Sequence, residues 1–148
     1  IANRVVYDSA QGKIMMTCFV GILDFDSNQI TFASAGHNPP WLFGEKSASL
    51  VSNGQRLGEM QEVTTPYEVK SVAFSPNDTF VFYTDGLLEG KNLAGDQYGK
   101  KKARDVVEKV ISQEPQSIIN NLMSDFMAHN TGKQLDDDVT LAVMRIVR

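Results

Sequence analysis

The chain has 148 residues, a formal net charge of −4 and a hydrophobic content of 42%, values that suit one soluble domain with a real core and give no support for a nucleic-acid surface. A single cysteine, Cys18, excludes an internal disulfide and fits a reducing, cytoplasmic compartment. No apolar run approaches the roughly 20 residues needed to cross a bilayer, and the start Ile1-Ala2-Asn3-Arg4 has neither a signal-peptide pattern nor an initiator methionine, as expected of a piece of a longer protein.

Residues 1–10 place Ala2, Val5, Val6 and Ser9 at helical spacing before Gly12, although a strand also remains open there. From Ile14 to Phe25 the sequence is strand-like. Asp24-Phe25-Asp26-Ser27-Asn28 supplies turn residues and residues 29–35 a return strand, so a hairpin is the simplest account. Gly36-His37-Asn38-Pro39-Pro40 breaks the pattern, because proline lacks an N–H and glycine relaxes the turn. Trp41-Leu42-Phe43 is a short strand, with a turn at Gly44-Glu45-Lys46. Residues 47–58 read as a strand and a glycine-marked loop, residues 61–66 as irregular or an edge strand, and residues 67–74 as an imperfectly alternating strand.

The stretch from Thr79 to Tyr83 has no polar face, which predicts a strand covered on both sides. It runs directly into Asp85-Gly86. A carboxylate there is held at the end of a rigid element, and the glycine lets the backbone turn or approach a ligand. Two amphipathic helices follow. Ala103, Val106, Val107, Val110 and Ile111 form one apolar stripe, and Ile118, Ile119, Leu122, Met123, Phe126 and Met127 form the second, with Pro115 suited to a first turn. Loop residues 130–134 precede Asp136-Asp137-Asp138 and a closing strand over 139–147. Acidic residues therefore meet apolar strands twice, and oxygen-rich sites of this kind suit magnesium or manganese.

Three blocks in order carry a resemblance that covers essentially the whole chain: residues 17–23 leading to Ala35-Gly36-His37-Asn38-Pro39-Pro40, then Phe82-Tyr83-Thr84-Asp85-Gly86-Leu87-Leu88-Glu89, then Asp137-Asp138-Val139-Thr140. Together they resemble the bacterial type 2C (PPM) metal-dependent serine/threonine phosphatases, in the branch that regulates sigma factors in sporulation and stress response. The resemblance implies an α+β fold, a two-layer antiparallel β-sandwich flanked by helices. It implies a metal-binding set of Asp85, Gly86 and Asp137. Asp138 is a polar neighbour, Asp136 an outer or solvated residue, and His37 and Asn38 are supporting residues. It further implies two Mn or Mg ions that activate a water, with no side-chain nucleophile. The substrate would be a phosphorylated regulator of the anti-anti-sigma type, and a sensor domain is expected upstream.

One departure stands against these matches: the early Gly-Asp block, whose aspartate bridges the two metals in the family, is missing. Residues 1–148 accordingly read as the C-terminal part of a phosphatase domain, weakly active or inactive alone. A non-catalytic module that binds a regulatory partner is the alternative, and an exposed sheet edge would invite pairing with a second copy. A second enzyme reading rests on Gly21-Ile22-Leu23-Asp24-Phe25-Asp26, which mimics the nucleophile strand of haloacid-dehalogenase-like phosphatases, with Asn28 where their threonine belongs. Cys18 is expected in the core. Lys100, Lys101, Lys102 and Arg104 are expected on a solvated helix start, and His37 is expected to order its loop.

Overall fold

Helix α1 (Ala2–Ala10) settles the ambiguity of the first ten residues, and Gln11 and Gly12, at φ of 50° and 71°, end it in the left-handed region. Its one buried residue is polar: the Asn3 amide donates to Met60 O at 2.9 Å, and its Oδ1 accepts from the Gly58 N–H at 2.9 Å. The helix is thus tied to a loop far along the chain by both ends of one amide. The computed structural model describes residues 1–148 except Lys46, Gly132 and Arg148. Lys46 of the expected turn at 44–46, and Gly132 of the loop at 130–134, lie outside the described residues.

The chain divides into two compact units, one of residues 1–39 and 49–75, the other of residues 40–48 and 76–148. In the first, β1 (Cys18–Asp24) and β2 (Gln29–Ala35) form the expected hairpin, and β5 (Lys70–Ala73) pairs with the far side of β2, all antiparallel. Along β2 burial alternates until Ser34, with Ile30 and Phe32 inside, as a half-covered strand requires. Phe32 stacks on Phe19 at 5.5 Å, and Phe74 meets Phe25 edge-on at 5.6 Å. β1 lies at the edge of this sheet and leaves Val20 58% and Ile22 67% exposed. Cys18 on that strand is half-buried, not a core residue as the sequence suggested, because among the described residues β1 is an edge strand paired with no strand but β2.

The second unit carries an antiparallel sheet of order β4-β3-β6-β7: β3 (Trp41–Phe43), β4 (Ala48–Ser49, at the unit boundary), β6 (Thr79–Tyr83) and β7 (Leu141–Arg145). β6 has a pairing partner on each side and is buried along nearly all its length, which explains its unbroken apolar run. Helices α3 (Lys100–Val110) and α4 (Pro115–His129) bury Ala103, Val107, Ile118, Leu122 and Phe126 in one cluster with Trp41, Val81 and Tyr83. Burial pushes the Tyr83 phenol up to about 12, so it stays neutral and acts as a core residue. The basic start of α3 is tied into pairs, Lys101 with Asp105 at 2.7 Å and Arg104 with Glu108 at 3.0 Å, as a solvated helix face predicts. Among the described residues no helix is long and apolar enough to cross a membrane.

Candidate functional site

The antiparallel register of β6 and β7 decides which acidic residues meet. Tyr83 stands opposite Leu141, so continuing the register carries Thr84 to Thr140 and Gly86 to Asp138. The hydrogen bonds follow that extension. Thr84 N–H donates to Thr140 O at 3.1 Å, Thr140 N–H donates to the Thr84 hydroxyl at 2.9 Å, and that hydroxyl donates to Asp138 O at 3.2 Å. Residues 54 apart in sequence are thereby braced by one threonine side chain. A Cβ added to Gly86 would lie only 2.4 Å from Asp138 O. Glycine is required here by proximity to another backbone.

Asp85 is the first residue of a short helix, α2 (Asp85–Glu89), where the sequence suggests only a turn. Thr84 is the N-cap by position, yet makes no side-chain capping bond, since its hydroxyl serves Asp138 and Thr140. Asp85 Oδ1 instead accepts from the Gly86 N–H at 3.1 Å, an acid in a first turn where the helix dipole favours it. Across the junction Asp137 Oδ1 accepts from the Asp138 N–H at 2.7 Å. Both aspartates are exposed, so each is anchored at one oxygen and open to solvent. A cleft of about 220 Å³ is lined by Gly86, Glu89, Gly90 and Lys91 from α2 and the residues after it, and by Leu135, Asp136 and Asp137 from the loop before β7. Asp136 lines it while paired to Lys133 at 3.1 Å.

Among the described residues no three His, Cys, Asp or Glu side chains converge as a metal-binding group. Two exposed carboxylates at one junction nevertheless fit magnesium-type binding, in which one or two carboxylates act together with waters and substrate phosphate.

His37 and Asn38 belong to the first unit. The His37 N–H donates to the Ser34 hydroxyl at 3.2 Å, and its Nδ1 lies 3.2 Å from Thr17 Oγ1, contacts that order the loop after β2. Asp24 accepts from the N–H groups of Asp26 and Ser27, at 2.9 and 3.2 Å, and hydrogen bonding from Ser27 holds its carboxyl below the usual range. It closes a β-hairpin, where the haloacid-dehalogenase reading needs a loop into a crossover helix. Thr84 is the residue that sequence reasoning missed; its hydroxyl amino acid directly before Asp85-Gly86 was the available signal. Replacing Thr84 by valine, nearly isosteric, removes both side-chain bonds and is expected to cost about 1–2 kcal/mol, measured by urea denaturation; an unchanged midpoint would show that the brace contributes nothing.

Two antiparallel sheets with helices define the class: the fold is that of the type 2C (PP2C) phosphatase domains. It superposes on the SiaA-PP2C domain of Pseudomonas aeruginosa with a TM-score of 0.84 at 18% identity, covering 97% of this chain and 57% of that one. For the manganese-presoaked phosphatase domain of the cell fate determinant SpoIIE from Bacillus subtilis the TM-score is 0.62 at 22% identity, covering 89% and 57%. The chain belongs to the stage II sporulation protein E (SpoIIE) family, whose model matches residues 1–147. It is also 27% identical over 146 residues to the phosphoserine phosphatase RsbU of Bacillus subtilis (strain 168), covering 97% of this chain but only 42% of that relative.

Proposed function

We propose that residues 1–148 form part of a type 2C domain that hydrolyses phosphoserine or phosphothreonine on a regulatory protein with the help of divalent metal, Mn or Mg. The observation that carries this reading is the contact of Gly86 with Asp138, which brings the Asp85 and Asp137 blocks to one point. In this reading Asp85 and Asp137 hold the metal, Gly86 lets the two backbones close up, and Thr84 keeps them there. A bound divalent cation would supply Lewis acidity, drawing charge from phosphate oxygens and making a water nucleophilic near neutral pH. The exposed junction admits a phosphorylated side chain carried by another protein. The names of the relatives support the same assignment, a phosphoserine phosphatase in one case and a manganese-presoaked phosphatase domain in the other. A phosphorylated anti-anti-sigma regulator is the partner proposed.

A second reading, a phosphatase-like module that binds its regulator without turnover, is favoured by the lack of a third converging carboxylate among the described residues. Calorimetric titration with manganese, beside Asp137→Asn, separates the two when joined to a phosphoserine assay on the full-length protein. Saturable binding that weakens at least tenfold in the variant, together with turnover, is the outcome expected. Absence of manganese binding would overturn the metal assignment. Binding without turnover would favour the second reading.

A further inference from the structure

We propose that Lys91 holds the phosphoryl group of the substrate at the cleft and so sets affinity for the phosphorylated protein. This rests on the phosphatase reading. Lys91 lines the same cleft as Asp136 and Asp137. Lys133 is engaged by Asp136 at 3.1 Å, whereas Lys91 forms no ion pair among the described residues. An unpaired, exposed ammonium beside carboxylates that would be neutralised by a metal is open to a dianionic phosphate. Lysine suits that task as a compact point charge with three donors.

The backbone that carries Lys91 is held by the hydrogen bonds of the segment that follows it and by α4. Lys91 bridges Gln97 in an antiparallel pair, Tyr98 N–H donates to Gly90 O at 2.8 Å, and Gly99 N–H donates to Leu88 O at 2.9 Å. Inside the loop Asp96 N–H donates to Asn92 Oδ1 at 2.9 Å. Helix α4 clamps it from outside, where the Tyr98 hydroxyl donates to Asp125 at 2.8 Å and His129 Nε2 donates to Asp96 O at 3.0 Å. A Cβ on Gly90 would stand 2.5 Å from the Phe126 ring, so the residue before Lys91 has no room to move toward α4. A cation on a fixed backbone loses less entropy on gripping its ligand than one on a loose loop.

The test is steady-state kinetics of the full-length protein with manganese on a phosphoserine peptide, for wild type, Lys91→Met and Lys91→Arg, with a parallel calorimetric titration of inorganic phosphate. Lys91→Met is expected to raise KM and weaken phosphate binding about tenfold to hundredfold, with the larger part of the change in KM rather than kcat. Lys91→Arg is expected to restore most of it, which a merely structural role would not produce. An unchanged KM, or a loss that arginine does not rescue, overturns the proposal. If the wild type hydrolyses no phosphoserine, the phosphatase reading fails by itself, and Lys91 is judged on phosphate binding. Weaker binding in Lys91→Met then upholds it as an anion-binding residue, and equal or absent binding in both proteins overturns it.

Discussion

In the full-length protein, Asp85→Asn is expected to lower kcat/KM for a phosphoserine substrate by more than about 100-fold while leaving the fold intact. The amide keeps an oxygen where Oδ1 accepts from the Gly86 N–H, so the first turn of α2 survives. What disappears is the charge, which sits on an exposed side chain. Changes to residues that only orient metal ligands cost about 10- to 100-fold, and loss of a direct carboxylate ligand exceeds that range. The check is kcat/KM across a manganese titration, with thermal unfolding of both proteins in parallel. A variant within tenfold of wild type would remove Asp85 from the metal set.

Gly86→Ala is expected to damage both stability and activity through a single methyl group. Its Cβ would lie 2.4 Å from Asp138 O and 3.1 Å from the Asp138 carbonyl carbon. The obstacle is backbone, and that carbonyl is already held by the Thr84 hydroxyl at 3.2 Å, so it has no side-chain rotation with which to yield. Overpacking of this kind costs about 1–3 kcal/mol. The displacement needed to relieve it also separates the Asp137 block from Asp85, and misplacement by about 1 Å can cost about 100-fold in rate. Urea denaturation and kcat/KM measured together check the claim. Stability and turnover both equal to wild type would show that the two backbones are not in obligatory contact.

Much of the second unit was legible from periodicity. The stripes of α3 and α4 and the unbroken apolar run of β6 are local patterns that burial imposes directly, and each appears within a few residues of its expected bounds. The hairpin of β1 and β2 was legible for the same reason, since its turn residues lie between two strand-like runs. The exposure of β1 was not, because an apolar strand reads alike whether or not something covers it. Residues 47–58 also looked more strand-like than they are: among the described residues Ala48 and Ser49 form a strand and Leu57 an isolated bridge to Met16, since strand pairing there depends on distant neighbours.

The candidate site divides along the same line. The sequence by itself determined the chemistry on offer: two acidic blocks, each abutting an apolar strand, with a glycine after the first. Residue type sets which atoms can ligate an oxygen-seeking cation, and that needs no fold. Only the tertiary structure decided that the blocks meet, because the β6–β7 register alone places Gly86 against Asp138 and lets Thr84 brace both. It also decided that Lys91 joins Asp137 in one cleft, through bonds from α4 to a loop whose sequence shows no periodic signal. Contacts between residues far apart in the chain follow from strand register and helix packing, which no local pattern encodes.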